Sequence, residues 1–135
     1  MIVYREFGTE LLEQVMALYE KEGWDLYTTY PQRVKPAFER AVYRLGAFED
    51  ERLVGFIRCS GDGEFEVYVS DMIVDPAYRR QGIGRELMKH AMKRFESVDT
   101  FALMTGLEQI ENHAFYRSLD MHEYANNRLI GFLRP

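Results

Sequence analysis

The sequence predicts an α/β domain with a central, mostly antiparallel sheet and helices on both faces. Three observations predict this fold class. Residues 46–74 alternate as three consecutive strands joined by tight turns. A strong amphipathic helix follows, with apolar residues at helical spacing between Gly84 and Phe95. The next apolar run, "TFALMT", suits a buried strand parallel to the strand that precedes the helix.

Length and composition limit the classes of function. The chain has 135 residues, and we expect residues 1–135 to form a single domain. A net charge of −5 argues against nucleic-acid binding, and no apolar run approaches the length of a membrane span. Cys59 is the only cysteine and the first residues lack a signal peptide's apolar core, which predicts a cytoplasmic protein without disulfides.

The remaining elements are predicted in order along the chain. "IVYREF" alternates as a strand, and Thr9 is a suitable N-cap for a helix over residues 10–21 that Gly23 ends. A second helix is predicted over residues 34–45 from its apolar stripe. After the "TFALMT" strand we expect a helix over residues 108–119 and a final strand pair around Tyr124 and residues 129–132.

The stretch "DPAYRRQGIGRELMKHAMKRF" combines glycine and arginine where a helix begins. A strand that ends at Val74 and a loop with Gly82 and Gly84 direct unpaired backbone amides and the positive end of a helix dipole at one point. Glycine lets an anion approach the backbone closely. The loop is therefore suited to a pyrophosphate, with added positive charge from Arg79, Arg80 and Arg85.

Other interpretations of this loop are open or excluded as follows. The alternative is a loop without a binding role, in which the two glycines serve turn geometry and the three arginines serve solubility. The residues alone leave that alternative open. A P-loop is excluded because no Gly-Lys-Ser/Thr follows. The dinucleotide fingerprint fails because its third glycine and its short strand-to-helix turn are missing.

The run "VSDMIVDPAYRRQGIGRELM" resembles the acyl-CoA-binding signature of the GNAT superfamily of N-acetyltransferases, in which an apolar strand, Val-x-Pro and Arg/Gln-x-x-Gly-x-Gly/Ala precede a helix. The resemblance implies a GNAT-like fold whose parallel strand pair splays apart, and acetyl-CoA as co-substrate. It implies that the pyrophosphate lies on the loop amides and the pantetheine along the strand end. The implied cofactor-binding residues are Met72, Ile73, Val74, Arg79, Arg80, Gln81, Gly82, Ile83, Gly84, Arg85 and, in a later helix, Asn112.

"NHAFYRSLDM" is similar to a second part of the family's pattern, a helix with Phe-Tyr followed by Gly-Phe. Phe115 and Tyr116 match, and the resemblance makes Tyr116 the candidate general acid that protonates the departing thiolate. A phenol with an unperturbed pKa near ~10 keeps its proton at neutral pH, as an acid must. Packing in the core is the alternative role for this ring, and Asn112 could equally be a surface residue.

This helix also departs from the family's pattern. Asp120 and Met121 stand in place of Gly-Phe, whose glycine would supply the left-handed residue that ends a helix. Aspartate can enter that conformation at some cost, so the replacement leaves the exact helix end open. Gln109 and Asn112 replace the usual asparagine and alanine. The carry-over in this helix therefore stops at Tyr116.

N-acetylation also needs a group that accepts the amine's proton. Asp71 lies between Val69 and Ile73 on one face of the strand that leads to the cofactor loop, so we expect it to be partly desolvated beside the thioester. Desolvation favours the protonated carboxyl, which makes Asp71 the candidate base, directly or through water. A structural aspartate bonded to backbone is the alternative, and Glu66 is a weaker candidate further from the loop.

The acceptor side carries a weaker signal. In the GNAT fold the segment after the first helix usually lines the acceptor cleft, and here it contains Trp24, Tyr27 and Tyr30 near Asp25. Aromatic faces and a carboxylate could hold a cationic amine. The alternative is that these rings only cover the edge of the core. The histidines have no ligand-like spacing with Cys59 or carboxylates, so no metal is predicted.

The favoured hypothesis is an acetyl-CoA-dependent N-acetyltransferase in which an amine attacks the thioester directly. Its partner would be a small-molecule or peptide amine, with no nucleic acid and no membrane. The alternatives are a non-catalytic CoA-binding sensor or interaction module and an unrelated phosphate-binding α/β protein. A homodimer is an expectation that rests on the family resemblance alone.

Overall fold

The computed structural model describes residues 1–135 and divides them into two compact units, Met1–Leu103 and Met104–Pro135. The expectation of a single domain stays a prediction. The first unit contains the elements β1 (Ile2–Glu6), α1 (Leu12–Glu22), α2 (Asp25–Thr29), α3 (Val34–Arg40), β2 (Tyr43–Glu49), β3 (Arg52–Gly61), β4 (Glu66–Val74), α4 (Ile83–Arg94) and β5 (Thr100–Ala102). The second contains α5 (Ile110–Ser118) and a short 3-10 helix (Tyr124–Asn127).

The five strands form one sheet in the order β1-β2-β3-β4-β5. The first three pairings are antiparallel and the last, between β4 and β5, is parallel. The α4 helix connects these two parallel strands, as the period change from strand to helix to apolar run predicted. The predicted mixed α/β fold class is confirmed.

Helices cover both faces of this sheet because both faces are apolar. On one face α1 and α3 bury a core that includes Val15, Tyr19, Phe38, Phe56 and Ile73. On the other face α4 packs against β2, β3 and β4 through its fully buried side chains, which include Leu87, Met88 and Ala91. No helix of the chain is long and apolar enough to cross a membrane.

The β4 strand changes direction where it leaves its parallel neighbour. Its pairing with β5 ends at Tyr68, which lies opposite Ala102. The β3–β4 register then shifts, so that Val69 pairs with Cys59 while Asp71 pairs with Arg58. One extra residue in β4, Ser70, has no Cα partner, which is a β-bulge. Residues 69–74 of β4 consequently have no β5 partner.

The same bulge corrects one expectation from the sequence. Simple alternation placed Val69 on the face of Asp71, but cross-strand partners share a face and the adjacent partners Arg58 and Cys59 point to opposite faces. Asp71 therefore points towards α1 and α2, away from the face of Val69. One inserted residue moves the side chains that follow it to the opposite face of the strand. The amino-acid sequence alone does not indicate such an insertion.

Two helix predictions need correction in the first unit. Thr9 makes no capping hydrogen bond and begins a 3-10 turn, so α1 starts at Leu12, although Gly23 ends it in the left-handed conformation at φ 72°. The predicted helix over residues 34–45 ends at Arg40, because Tyr43 to Leu45 pair with β3 as the start of β2. A short apolar run fits the helical period and the strand period equally well. Pairing with β3 made residues 43–45 a strand.

The second unit confirms its helix and contradicts its predicted strands. The structure settles the end of α5, which the sequence left open: Asp120 adopts φ 62°, and the Met121 amide donates to the Tyr116 carbonyl oxygen at 3.1 Å. The expected strand pair is absent, since residues 124–127 form a 3-10 turn and residues 128–135 no regular element. Alternating apolar letters make a strand only where a second strand pairs with them.

Candidate active site

The loop between β4 and α4, called the cradle below, contains two residues in the left-handed backbone conformation. Arg80 and Gly82 both adopt positive φ angles, 64° and 81°. The α4 helix begins at Ile83, and the first amides of a helix have no acceptor within it. A Cβ placed on Gly82 would meet no protein atom within 4 Å, so the space in front of this backbone is open. The glycine is thus required by backbone conformation and by access, not by a neighbouring side chain.

The arginine predicted at the start of the motif already has an ionic partner. Arg79 forms an ion pair with Glu22, the last residue of α1, and its Nε donates to the Val74 carbonyl oxygen at 3.4 Å. Arg80 and Gln81 are exposed beside it. The loop thus combines open backbone amides with guanidinium groups, one of which is shared with the end of α1.

Asp75 anchors this loop, and sequence reasoning missed it. Its side chain is buried, accepts a hydrogen bond from the Ala77 amide at 2.9 Å and pairs with Lys21 at 2.8 Å and Arg52 at 3.4 Å. Burial alone would raise the pKa of Asp75, but Lys21, the Ala77 amide and Arg52 outweigh it and lower the pKa. An aspartate directly before a proline that starts a turn was the available signal.

The end of β4 offers its backbone to a ligand. Met72 and Val74 are half-buried, whereas the Ile73 side chain is buried in the core. These residues lie in the part of β4 beyond the last β5 partner, so the groups that would bond a neighbouring strand there face no strand. Such an edge is a ready template for an extended ligand.

Asp71 lies in this same stretch, completely enclosed. Tyr19 and Arg58 donate to its Oδ2 and Tyr27 donates to its Oδ1, each at 2.6 Å. Its side chain has no exposed surface and that of Arg58 is 9% exposed. Burial alone would lower the pKa of the Arg58 guanidinium, but the hydrogen bond and charge of Asp71 outweigh it and raise the pKa. The result is a buried ion pair that two phenols complete.

The aromatic segment after α1 forms part of this network. The Tyr19 and Tyr27 rings stack with centroids 4.2 Å apart, and Trp24 stacks on Tyr19 at 6.0 Å. Burial, followed by the charge of Asp71, raises the pKa of Tyr27 to about 12. Tyr30 stands apart in its contacts, since it is exposed with the Arg33 guanidinium over its ring. Of the three predicted acceptor-binding residues, Trp24 and Tyr27 therefore contact each other, whereas Tyr30 is not part of this aromatic group.

Tyr116 and Asn112 belong to the second unit. Tyr116 is half-buried with the Phe115 ring at an edge-to-face distance of 5.1 Å, and burial raises its pKa. Its hydroxyl therefore keeps its proton at neutral pH. Asn112 is exposed and donates to Thr105 at 3.2 Å and to Gln109 at 3.1 Å. Through these hydrogen bonds Asn112 holds the residues that directly precede α5.

The family model described as the acetyltransferase (GNAT) family matches residues 9–121. This chain belongs to the GNAT family of acetyltransferases. The matched residues include the cradle, the splayed end of β4 and the helix that carries Tyr116. The recognition from the sequence motif is confirmed.

Known structures and sequences place this GNAT chain among related acetyltransferases. A GNAT family acetyltransferase from Streptococcus pneumoniae is 32% identical, with a TM-score of 0.88 over 100% of this chain and 98% of that chain. An uncharacterized N-acetyltransferase from Prochlorococcus marinus is 28% identical over 67% of this chain, which spans about half of that protein, 52%. The PaiA N-acetyltransferase from Thermoplasma acidophilum, solved with coenzyme A, shares the fold at a TM-score of 0.74 and 18% identity over 88% of each chain.

The GNAT motif led to part of this site and not to the rest. The residue types and spacing of the motif identified the loop, its glycines and the end of β4. The residues that fix these elements were missed: Tyr19, Lys21, Glu22, Arg52, Arg58 and Asp75. All of them act through contacts between distant parts of the chain, and only Asp75 had a local signal.

Proposed function

We propose that this protein is an acetyl-CoA-dependent N-acetyltransferase that transfers an acetyl group to a primary amine by direct attack on the thioester. The observation that carries the proposal is the succession of two features along the chain. The β4 edge without a β5 partner ends at Val74, and the loop that follows it leads to the open backbone at Gly82. An extended ligand with a pyrophosphate at one end matches both.

The residues of the cradle would hold the pyrophosphate. The amides of residues 80–85 lie at the start of α4, where the helix dipole favours a negative charge. Arg79 and Arg80 add ionic contacts, and backbone groups of residues 72–74 would bond the pantetheine amides and polarise the thioester carbonyl. The Thermoplasma relative supports this assignment, because its structure contains coenzyme A.

The chemistry balances with two proton transfers. The amine nitrogen forms a bond to the thioester carbonyl carbon, and the C–S bond breaks as the adduct collapses. Tyr116 gives its proton to the departing thiolate, a role supported by the burial that keeps its phenol protonated. Asp71 takes up the proton that leaves nitrogen. Because its side chain has no exposed surface, that proton must pass through another group.

The acceptor is proposed to be a small-molecule or peptide amine. The segment of Trp24 and Tyr27 supports this assignment, because both rings lie in the network around Asp71 on β4. Aromatic rings beside a carboxylate favour a cationic or amine-bearing partner. Tyr30 would contribute from the exposed end of the same segment.

Calorimetric titration of the purified protein with acetyl-CoA tests the proposal, with ATP and NAD as controls. We expect selective binding of acetyl-CoA, followed by thiol release when an amine library is added. If the folded protein did not bind acetyl-CoA, the proposed role of the cradle as a pyrophosphate site would be wrong. Binding without thiol release for any amine would support the non-catalytic CoA-binding alternative.

A further inference from the structure

The three side chains that donate to the buried carboxylate of Asp71 differ in their exposure to solvent. Of its three donors, Tyr19 is fully buried and Arg58 is 7% exposed. Tyr27 is only half-buried and comes from α2, the segment that we propose lines the acceptor cleft. Among the three donors, Tyr27 is therefore the one placed between Asp71 and an acceptor in that cleft.

The hydrogen-bond partners of the Tyr27 hydroxyl determine to which group it donates and from which groups it can accept. An ionised carboxylate only accepts, so the 2.6 Å contact places the phenolic proton of Tyr27 towards Asp71 Oδ1. Arg58 Nη2 donates to the same phenolic oxygen at 3.2 Å. One lone pair of Tyr27 Oη remains, and it can only accept.

The ring of Tyr27 cannot serve as a cation platform on both sides. One of its faces is covered by Tyr19, whose ring lies nearly parallel at 9°. The polar end of Tyr27 is the part of the residue that remains suited to a nitrogen. The hydroxyl of Tyr27 therefore offers a second role beside the ring contact that the sequence predicted.

We propose that Tyr27 is a catalytic residue that relays the amine proton to Asp71. As nitrogen attacks the thioester and becomes cationic, its N–H bond breaks and an O–H bond forms at Tyr27 Oη. In the same step the original Tyr27 O–H bond breaks and an O–H bond forms at Asp71 Oδ1. Tyr27 ends neutral, nitrogen ends neutral and Asp71 ends protonated, so charge and protons balance.

The other partners of Asp71 set the conditions for this relay. Arg58 and Tyr19 both donate to Oδ2, so Oδ1 is the carboxylate oxygen that Tyr27 alone contacts among these donors and that would receive the proton. The acidity of nitrogen rises when it joins the carbonyl carbon, so the transfer accompanies attack and does not precede it. This inference rests on the proposed N-acetyltransferase function.

The test compares Tyr27→Phe with Tyr19→Phe, because each removes one hydroxyl from the same carboxylate. We expect Tyr27→Phe to lower kcat about tenfold or more with an unchanged Kd for acetyl-CoA, and to reduce the effect of D2O on kcat. Tyr19→Phe should lower Tm with a much smaller effect on kcat. Calorimetric binding of acetyl-CoA establishes that each variant is folded.

Three outcomes are decisive. Wild-type kcat in Tyr27→Phe would overturn the relay while leaving the N-acetyltransferase function intact. Equal loss of kcat in both variants, with an unchanged D2O effect, would also overturn it, because the hydroxyls would then only hold the network together. A wild-type protein that releases no thiol with any amine would overturn the proposed function itself, and the relay with it.

Discussion

Lys21 Nζ lies 2.8 Å from Asp75 Oδ2, which joins the last turn of α1 to the residue that follows β4. Arg52 reaches the same oxygen from β3 at 3.4 Å. Three elements that are distant in sequence are thus fixed at the entrance of the cofactor loop. The Asp75 carboxylate therefore ties the start of the loop to both α1 and β3.

Asp75→Ala should destabilise the protein by about 2 kcal/mol, because it removes a buried ionic partner and a turn cap. The pKa of Asp75 is lowered in the folded state, so its contribution is present at neutral pH and is lost as pH falls through that lowered value. Urea unfolding at several pH values below about 4 should therefore show the difference between variant and wild type shrinking. The exposed Asp99→Ala is the control, and an equal loss there would contradict the assignment.

Gly82→Ala should weaken acetyl-CoA binding about tenfold or more, because a Cβ would enter the space that the pyrophosphate needs. Gly23→Ala is a matched control, since Gly23 has φ 72° and an equally open surrounding. Each change should destabilise the fold by about 1 kcal/mol. Calorimetry distinguishes them, and equal acetyl-CoA affinity in the two variants would argue against the cradle.

Glu22→Gln should strengthen acetyl-CoA binding about threefold at low salt, because Arg79 would no longer share its charge with Glu22. Glu13→Gln makes the same change of charge at an exposed position of α1 and should have no comparable effect. Titrations at low and high salt measure both variants. Weaker binding in Glu22→Gln would instead mean that Glu22 holds Arg79 in its binding position.

Tyr116→Phe should lower kcat on the order of tenfold to a hundredfold and leave the Kd for acetyl-CoA nearly unchanged, because the acid acts only as the thiolate departs. Steady-state thiol release and calorimetry separate the two quantities. Tyr124→Phe, in the same unit, removes a hydroxyl from a more exposed ring. Equal turnover in Tyr116→Phe and wild type would remove Tyr116 from the mechanism.

Stability should fall as pH rises from about 10 to about 12, because the pKa of Tyr27 is about 12 when folded and about 10 when unfolded. In this range the unfolded chain releases a proton that the folded chain retains, which favours unfolding. The Tm of Tyr27→Phe should decline less steeply over the same range. An identical decline in both proteins would show that Tyr27 titrates normally in the fold.

Elements with local signals could be predicted from the sequence. The period of α4 and the tight turns between β2, β3 and β4 are set by neighbouring residues, so the fold class and the place of the glycine-containing loop before α4 were predicted. For Asp120 the sequence indicated only that an aspartate can adopt the left-handed conformation, and the helix end itself stayed open until the structure showed φ 62° there.

Features that depend on distant partners could not be predicted from the sequence and were revealed by the fold. The bulge at Ser70 turned Asp71 towards α1, and the free edge of β3 converted residues 43–45 from a predicted helix to a strand. The enclosure of Asp71 by Tyr19, Tyr27 and Arg58 joins α1, α2, β3 and β4. Hydrogen bonds and burial of this kind are set by three-dimensional packing, and periodicity along one chain carries no record of them.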